Sequence, residues 1–398
     1  HVCLPAQDAQ VVFRNRHPGA HSRAGRALVS GILDVNPSMT IMEKPSSLLP
    51  NQEKKPKTSG IDRVVGVGEH EEAVLHFFEK TFNKDETIPW QKESGPELKN
   101  IFENVNVRLG DFLARYGARP LDIPFSSIIL ADSSKLTPEQ LASRETSGVS
   151  AVYSGKFQKI IVWVDLDSMP RLRQYHVVIH EMIHMHSFQS WHSSPEHPAG
   201  KPSEYQLGLE GGSEQVSINQ RRTGFLISGK HGNSYFRDIN ESVTDELVLR
   251  FDREYFKDFS DLARDLSYRD LFVKDQAHRR GVSEDDIIRD FISVSEHEGV
   301  DGGMVLRFQP ASYRKEREEF RKLVADLYEK NQDSFQSQEA VFEEFARAAM
   351  PGRILPIARL IEKTYGKGSF RILGEETDKI ERTHADSELP AEEGGVGG

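Results

Sequence analysis

Apolar residues recur every three or four positions at Ala73, Val74, Phe77, Phe78 and Phe82, and again at Leu98, Ile101, Phe102, Val105, Leu109, Phe112 and Leu113. That period predicts amphipathic helices over 69–82 and 97–116. The pattern then changes. Residues 125–130, 149–153 and 160–164 are short runs rich in β-branched and aromatic side chains, which predict strands. Ser154, Gly155, Lys156, Phe157 and Gln158 join the last two runs as a hairpin turn. From 170 onward the period is helical almost throughout, with helices expected over 170–190, 239–256, 283–295, 311–330, 336–348 and 354–365. Strands first and helices afterwards predict an α+β fold. It would hold a small antiparallel or mixed sheet with an edge hairpin, followed by a mostly helical C-terminal half.

The two ends lack this order. Residues 1–60 mix Pro, Gly, Ser, Asn and basic residues without a period, and 371–398 form an acidic, Gly-rich tail. Both are expected to be disordered. Between them we expect a helical N-terminal region over 61–120 and a main domain over 121–370. A chain of 398 residues is long enough for either two domains or one large domain with a companion.

Composition narrows the partners. The formal net charge of −11 repels phosphate backbones, so nucleic acid is not expected as a partner. No run of 18 apolar residues occurs, so no membrane span is expected. Cys3 is the only cysteine, which excludes an intrachain disulfide and a cysteine-rich metal cluster. With no basic and apolar leader at the N-terminus, the expected compartment is the cytoplasm, although His1 in place of Met leaves a removed signal open.

The chemistry is concentrated at His180–Glu181–Met182–Ile183–His184, an H-E-x-x-H sequence. On a helix, residues four apart share a face, so the two imidazoles can reach one Zn²⁺. Glu181 points to the side, where it can hold a water at the metal. Apolar residues spread around this segment instead of forming one stripe, which predicts a buried helix. Buried His and Glu side chains need partners, and a metal with its water would supply them. Fifteen histidines give a chance H-E-x-x-H odds of roughly one in twenty, so what accompanies the motif decides its meaning.

A catalytic zinc normally has three protein ligands and one open position. His186 faces another side of the helix. Ser187 and Ser190 stand where a metzincin would carry glycine and a third histidine, so that reading fails. His192 and His197, in a Ser- and Pro-rich stretch, stay open as third ligands. Glu241 is the better candidate, because Glu241 and Asp245 are four apart on the next strong helix. Glu241 can close the triad, and Asp245 can accept the free ring N–H of a ligating histidine. Glu246, turned about 100° further round, is expected to leave the metal alone and to tolerate replacement.

H-E-x-x-H followed by Asn240–Glu241 and Asp245 resembles the gluzincins, the thermolysin-like zinc metallopeptidases. The resemblance covers residues 125–260 well and implies a zincin-like fold, with a metallopeptidase domain over 121–370. It implies one Zn²⁺ per chain held by His180, His184 and Glu241, and hydrolysis of peptide or protein substrates by a metal-activated water, with Glu181 as general base. The edge strand Val149, Ser150, Ala151, Val152 and Tyr153 would pair with the substrate backbone. Members of the group also stabilise the oxyanion with Tyr and His side chains. Tyr235 is the first choice for that role, followed by His231 and Tyr313. A catalytically inactive zincin-like binding domain is the alternative, and an intact Glu181 argues against it, since a purely structural zinc has no use for a base.

Overall fold

The computed structural model describes residues 57–84, 91–137, 150–163, 166, 169–192, 205–208, 215–218, 220–228, 234–288, 291–298, 304–310 and 313–375. The segments 1–56 and 376–398, both read as disordered, lie outside these residues.

Helices and small sheets alternate, so the fold is α+β. The helices are α1 (Glu71–Asn83), α2 (Pro96–Ala114), α3 (Arg171–His186), α4 (Arg237–Tyr255), α5 (Ala263–Arg280), α6 (Glu284–Ile288), α7 (Arg314–Lys330), α8 (Gln338–Ala349) and α9 (Ile354–Tyr365). One sheet joins β2 (Gln91–Lys92), β3 (Ile128–Ala131), β5 (Lys159–Val162) and β4 (Ala151–Ser154) in that order, so β4 is an edge. Its β3–β5 pair is parallel and its β4–β5 pair antiparallel. A second sheet runs β1 (Arg63–Val65), β6 (Gln189–His192), β9 (Gln220–Thr223), β10 (Leu226–Ser228) and β11 (Ser234–Tyr235). Two hairpins form sheets of their own, β7 (Tyr205–Gly208) with β8 (Gln215–Ile218), and β12 (Phe291–Glu298) with β13 (Met304–Pro310), β12 lying against α3 and α5.

The expectation of an almost wholly helical second half is corrected by β6 to β13. Helix α3 ends at His186 rather than at 190. Ser187 is extended at φ −60°, ψ 157°, and its hydroxyl bonds back to Ile183 O at 2.9 Å. The main chain of Phe188 then leaves the helix to bond Ala349 O and the Gly224 N–H. Likewise the helix expected over 283–295 is only α6, after which the chain pairs as β12. Ile292 and Val294 are β-branched, and a partner strand supplies the main-chain bonds that a helix would have made internally. Strand β3 begins at Ile128, because residues 125–127 form a 3₁₀ turn.

The hydrophobic core draws on residues from both sides of position 120. One hydrophobic cluster runs from Phe82, Leu98 and Leu109 through Ile160 and Ile183 to Val248, Phe345 and Ile361. Helix α3 lies at its centre, with Leu172, Val178, Ile179, Met182 and Ile183 all fully buried. Lys57, read as linker, is buried against Asp62 at 2.9 Å and donates to His186 O and Ser187 O at 3.3 Å each. It thereby satisfies carbonyls that the end of a helix leaves open. At the other end, residues 369–375 are helical. There Gly374 O accepts the Phe236 N–H, and Phe370 stacks on the Phe236 ring. No helix among the described residues is long and apolar enough to cross a membrane.

Candidate metal centre

Helix α3 presents His176, His180 and His184 at four-residue intervals, so all three lie on the face turned toward α4. Helix α4 starts abruptly. Phe236 adopts φ 60° in the left-handed region, which turns the chain from β11 straight into the helix and places Glu241 in its early turns. The two helices pack together, and Ile179, Ile183, Val243 and Leu247 belong to the same buried cluster.

Three donor atoms converge between them. His180 Nε2 lies 3.1 Å from Glu241 Oε2 and 3.0 Å from His184 Nε2, and His184 Nε2 lies 3.4 Å from Glu241 Oε2. Among the described residues, His180, His184 and Glu241 are the one group of His, Cys, Asp and Glu placed to hold a metal ion. A tetrahedral Zn²⁺ with bonds of about 2.0–2.1 Å needs donor–donor edges of about 3.3–3.4 Å. The donors therefore fit such a centre with shifts of a few tenths of an ångström. Two imidazole nitrogens and one carboxylate oxygen also form a set that suits zinc.

Neighbouring groups orient these ligands. His180 Nδ1–H donates to Asp245 Oδ1 at 2.8 Å, which turns Nε2 toward the centre, where a metal ion would take the place of its proton. The Asn240 carboxamide oxygen accepts the Phe225 N–H at 2.9 Å, and its nitrogen lies 3.5 Å from both Glu241 Oε1 and His184 Nδ1. Gly224, at φ +57°, makes room for this side chain, since a Cβ there would come within 2.5 Å of Asn240 Oδ1.

Charge is finely balanced at the centre. Burial opposes ionisation at His180 and Glu241 alike. Even so, Asp245 and Glu241 hold the His180 imidazolium well above the usual range, and His184 and His180 hold the Glu241 carboxyl well below it. Burial also pushes the Glu181 carboxyl up, against the pull of His180 and His184. A carboxyl raised above its usual range suits proton transfer near neutral pH.

Glu181 is tied to the edge strand, its Oε2 accepting the Tyr153 N–H at 2.6 Å. Ser150 O instead accepts the Trp163 N–H from the β5 side at 2.9 Å. Backbone groups alternate along a strand, so Ser150 and Val152 face β5 while Ala151 and Tyr153 face the open edge. Val152 points its side chain to solvent, and Val149 lies outside the described residues.

The oxyanion candidates separate. Tyr235 is half-buried in β11 opposite Ile227, and among the described ring contacts it is not against the histidines. Tyr313 is, with its ring parallel to His180 at 6.0 Å and 15°. It stands at the start of α7 in the left-handed region, at φ 51°. Of the two tyrosines, Tyr313 is the one brought beside His180, and nothing in the local sequence announces that. His231 and His197 lie outside the described residues. His192 sits in β6 opposite Val65 and Gln220, away from the three donors.

Two further residues are buried near these helices. His186 is not one of the three converging side chains, and burial lowers its imidazole to about 3. Glu246 does not approach the donors, but it is not indifferent to replacement. It is buried and holds Arg321 at 2.6 Å, Arg250 at 2.9 Å and Arg317 at 3.7 Å. No family model, curated protein or solved structure matches this chain.

Proposed function

We propose that the protein is a zinc-dependent peptidase of the gluzincin type, with a zincin-like fold. The observation that carries this reading is the convergence of His180 Nε2, His184 Nε2 and Glu241 Oε2 beside a buried Glu181. A zinc ion held by those three side chains would supply Lewis-acid polarisation of a water and of the scissile carbonyl. Glu181 takes the proton of the attacking water and later returns it to the leaving amine. Tyr313 is the chain's candidate donor to the developing oxyanion, replacing Tyr235. An extended substrate would pair with the edge of β4 through the main-chain groups of Ala151 and the carbonyl of Tyr153. The placement of Glu181 also weighs against an inactive binding domain, because its carboxylate is held next to the donors without being one of them.

The test combines metal content with cleavage of a peptide library by the full chain. We expect about one zinc per chain, and chelation should abolish cleavage. Glu181→Gln should keep the zinc while hydrolysis falls by roughly a thousandfold. A Glu181→Gln protein that cleaves peptides at near the wild-type rate would remove Glu181 as the base and overturn the reading.

A further inference from the structure

The Glu181 carboxylate is held by a backbone N–H, so whatever sets the position of Tyr153 also sets that of the candidate base. Edge strands are the least constrained members of a sheet, with pairing on one side only. Here the second side is supplied by side chains. The Tyr153 hydroxyl is buried, where it accepts an N–H from Gln158 Nε2 at 3.0 Å and donates to Gln189 Oε1 at 3.2 Å. Gln189 lies three residues past the end of α3, and its side-chain Nε2 donates to His184 O at 3.4 Å. The chain of contacts therefore closes on itself. It runs from the end of α3 through Gln189 to the Tyr153 ring, along the Tyr153 main chain to Glu181, and back into α3.

Gln158 is the unusual member. It is completely buried and adopts φ 51°, a conformation that costs a non-glycine side chain and would suit glycine in this turn. Its amide makes use of that position. Nε2 donates to Gly155 O as well as to Tyr153 Oη, and Oε1 accepts the Gly60 N–H at 2.8 Å. Gly60 is fitted to this amide, since a Cβ there would lie 2.6 Å from Gln158 Oε1 and 2.8 Å from Tyr153 Oη.

We propose that Gln158 is a positioning residue for the candidate base. With Gln189 it clamps the Tyr153 hydroxyl, and through the Tyr153 main chain it holds the Glu181 carboxylate beside the metal donors. Gly60 brings the N-terminal segment into the same clamp. The role in catalysis rests on reading Glu181 as the base; the clamp itself does not.

Two substitutions in the full-length, zinc-loaded protein test this. Gln158→Asn keeps a residue that tolerates the left-handed turn but is too short to reach Tyr153. Tyr153→Phe removes only the hydroxyl. Hydrogen exchange at the Tyr153 amide and steady-state cleavage of a peptide that the wild type cuts are then measured. We expect zinc content to stay at the wild-type level in both variants. The Tyr153 amide should exchange at least about tenfold faster, because its acceptor no longer sits still. kcat should fall by about ten- to a hundredfold with KM within about twofold, as for a misplaced catalytic group. Gly60→Ala, which pushes on the same amide from the other side, should move both readouts in the same direction. Unchanged exchange at Tyr153 would overturn the proposal, and so would changes confined to thermal stability or zinc content, which a plain structural lock would give. A zinc-loaded wild type that cuts no peptide would remove the hydrolase reading instead, and Tyr153 exchange would still decide the clamp.

Discussion

Helices α3 and α4 carry two histidine–carboxylate pairs that differ in one respect. Near the start of α3, His176 Nε2 meets Asp252 Oδ2 at 3.1 Å, and Arg269 from α5 reaches the same oxygen at 2.6 Å. One turn further along α3, His180 meets Asp245 at 2.8 Å, and no arginine or lysine joins Glu241, Asp245 or Glu181 among the described ion pairs. The first pair is electrically complete. Burial keeps His176 below its usual value and so neutral, while Arg269 and His176 together hold Asp252 ionised despite burial. In the second, three carboxylates face two histidines. Buried negative charge must be matched, and where the protein provides no cationic side chain an ion from outside is the natural counter-charge. Arg269 makes one pair a piece of architecture, and the want of a counterpart among the described ion pairs leaves the other able to hold a metal ion.

The widest separation should come from Glu241→Ala. Losing one ligand should weaken zinc binding by roughly a thousandfold, a ligand's share of the ~10–16 kcal/mol that a full structural site supplies. Asp245→Ala, read in the same competition titration against a chelator, should lose only about 10–100-fold. Equal affinity for Glu241→Ala and the wild type would place the third ligand elsewhere. At the other pair, Arg269→Met should leave zinc affinity alone and cost about 3 kcal/mol in urea unfolding, since it strands the buried Asp252 charge. If Arg269→Met instead depleted zinc, the two pairs would not be the independent units described here.

Glu246 probes the margin between them. It lies next to Asp245 in sequence but serves arginines, so Glu246→Ala should lower stability by about 2 kcal/mol without changing zinc affinity. That figure is discounted because Arg321 is a quarter exposed and Arg250 keeps Glu339. The smallest effect is a pH dependence. The folded value of His176 lies below its unfolded value, so the unfolded chain takes up the proton first. Its contribution is therefore complete above about pH 6.5 and is lost as the pH falls below that, by at most about 1.4 kcal/mol per pH unit. In chelated protein, His176→Gln should flatten the stability profile between about pH 6.5 and 5 relative to the wild type. An unchanged slope would mean that His176 is not held neutral.

Helical periodicity alone brings His180 and His184 to one face of α3, and Glu241 and Asp245 to one face of α4, because residues four apart are neighbours whatever surrounds them. The turn after Ser154 and most helices are legible for the same local reason. Contacts between distant segments are not. Gln189–His192 and Gln220–Thr223 carry no strand alternation and become strands only because each offers the other an edge. Lys57 reads as a linker residue until His186, 129 positions later, supplies the carbonyl that it caps. Tyr313 and Gln158 reach the site from turns whose left-handed backbone the surrounding packing imposes against the preference of the residues themselves. Tertiary structure also decided which carboxylate receives an arginine from a distant segment and which receives none among the described ion pairs, since Arg269, Arg317 and Arg321 come from helices that no local period ties to α4, whereas Arg250 meets Glu246 from four residues further along α4 itself.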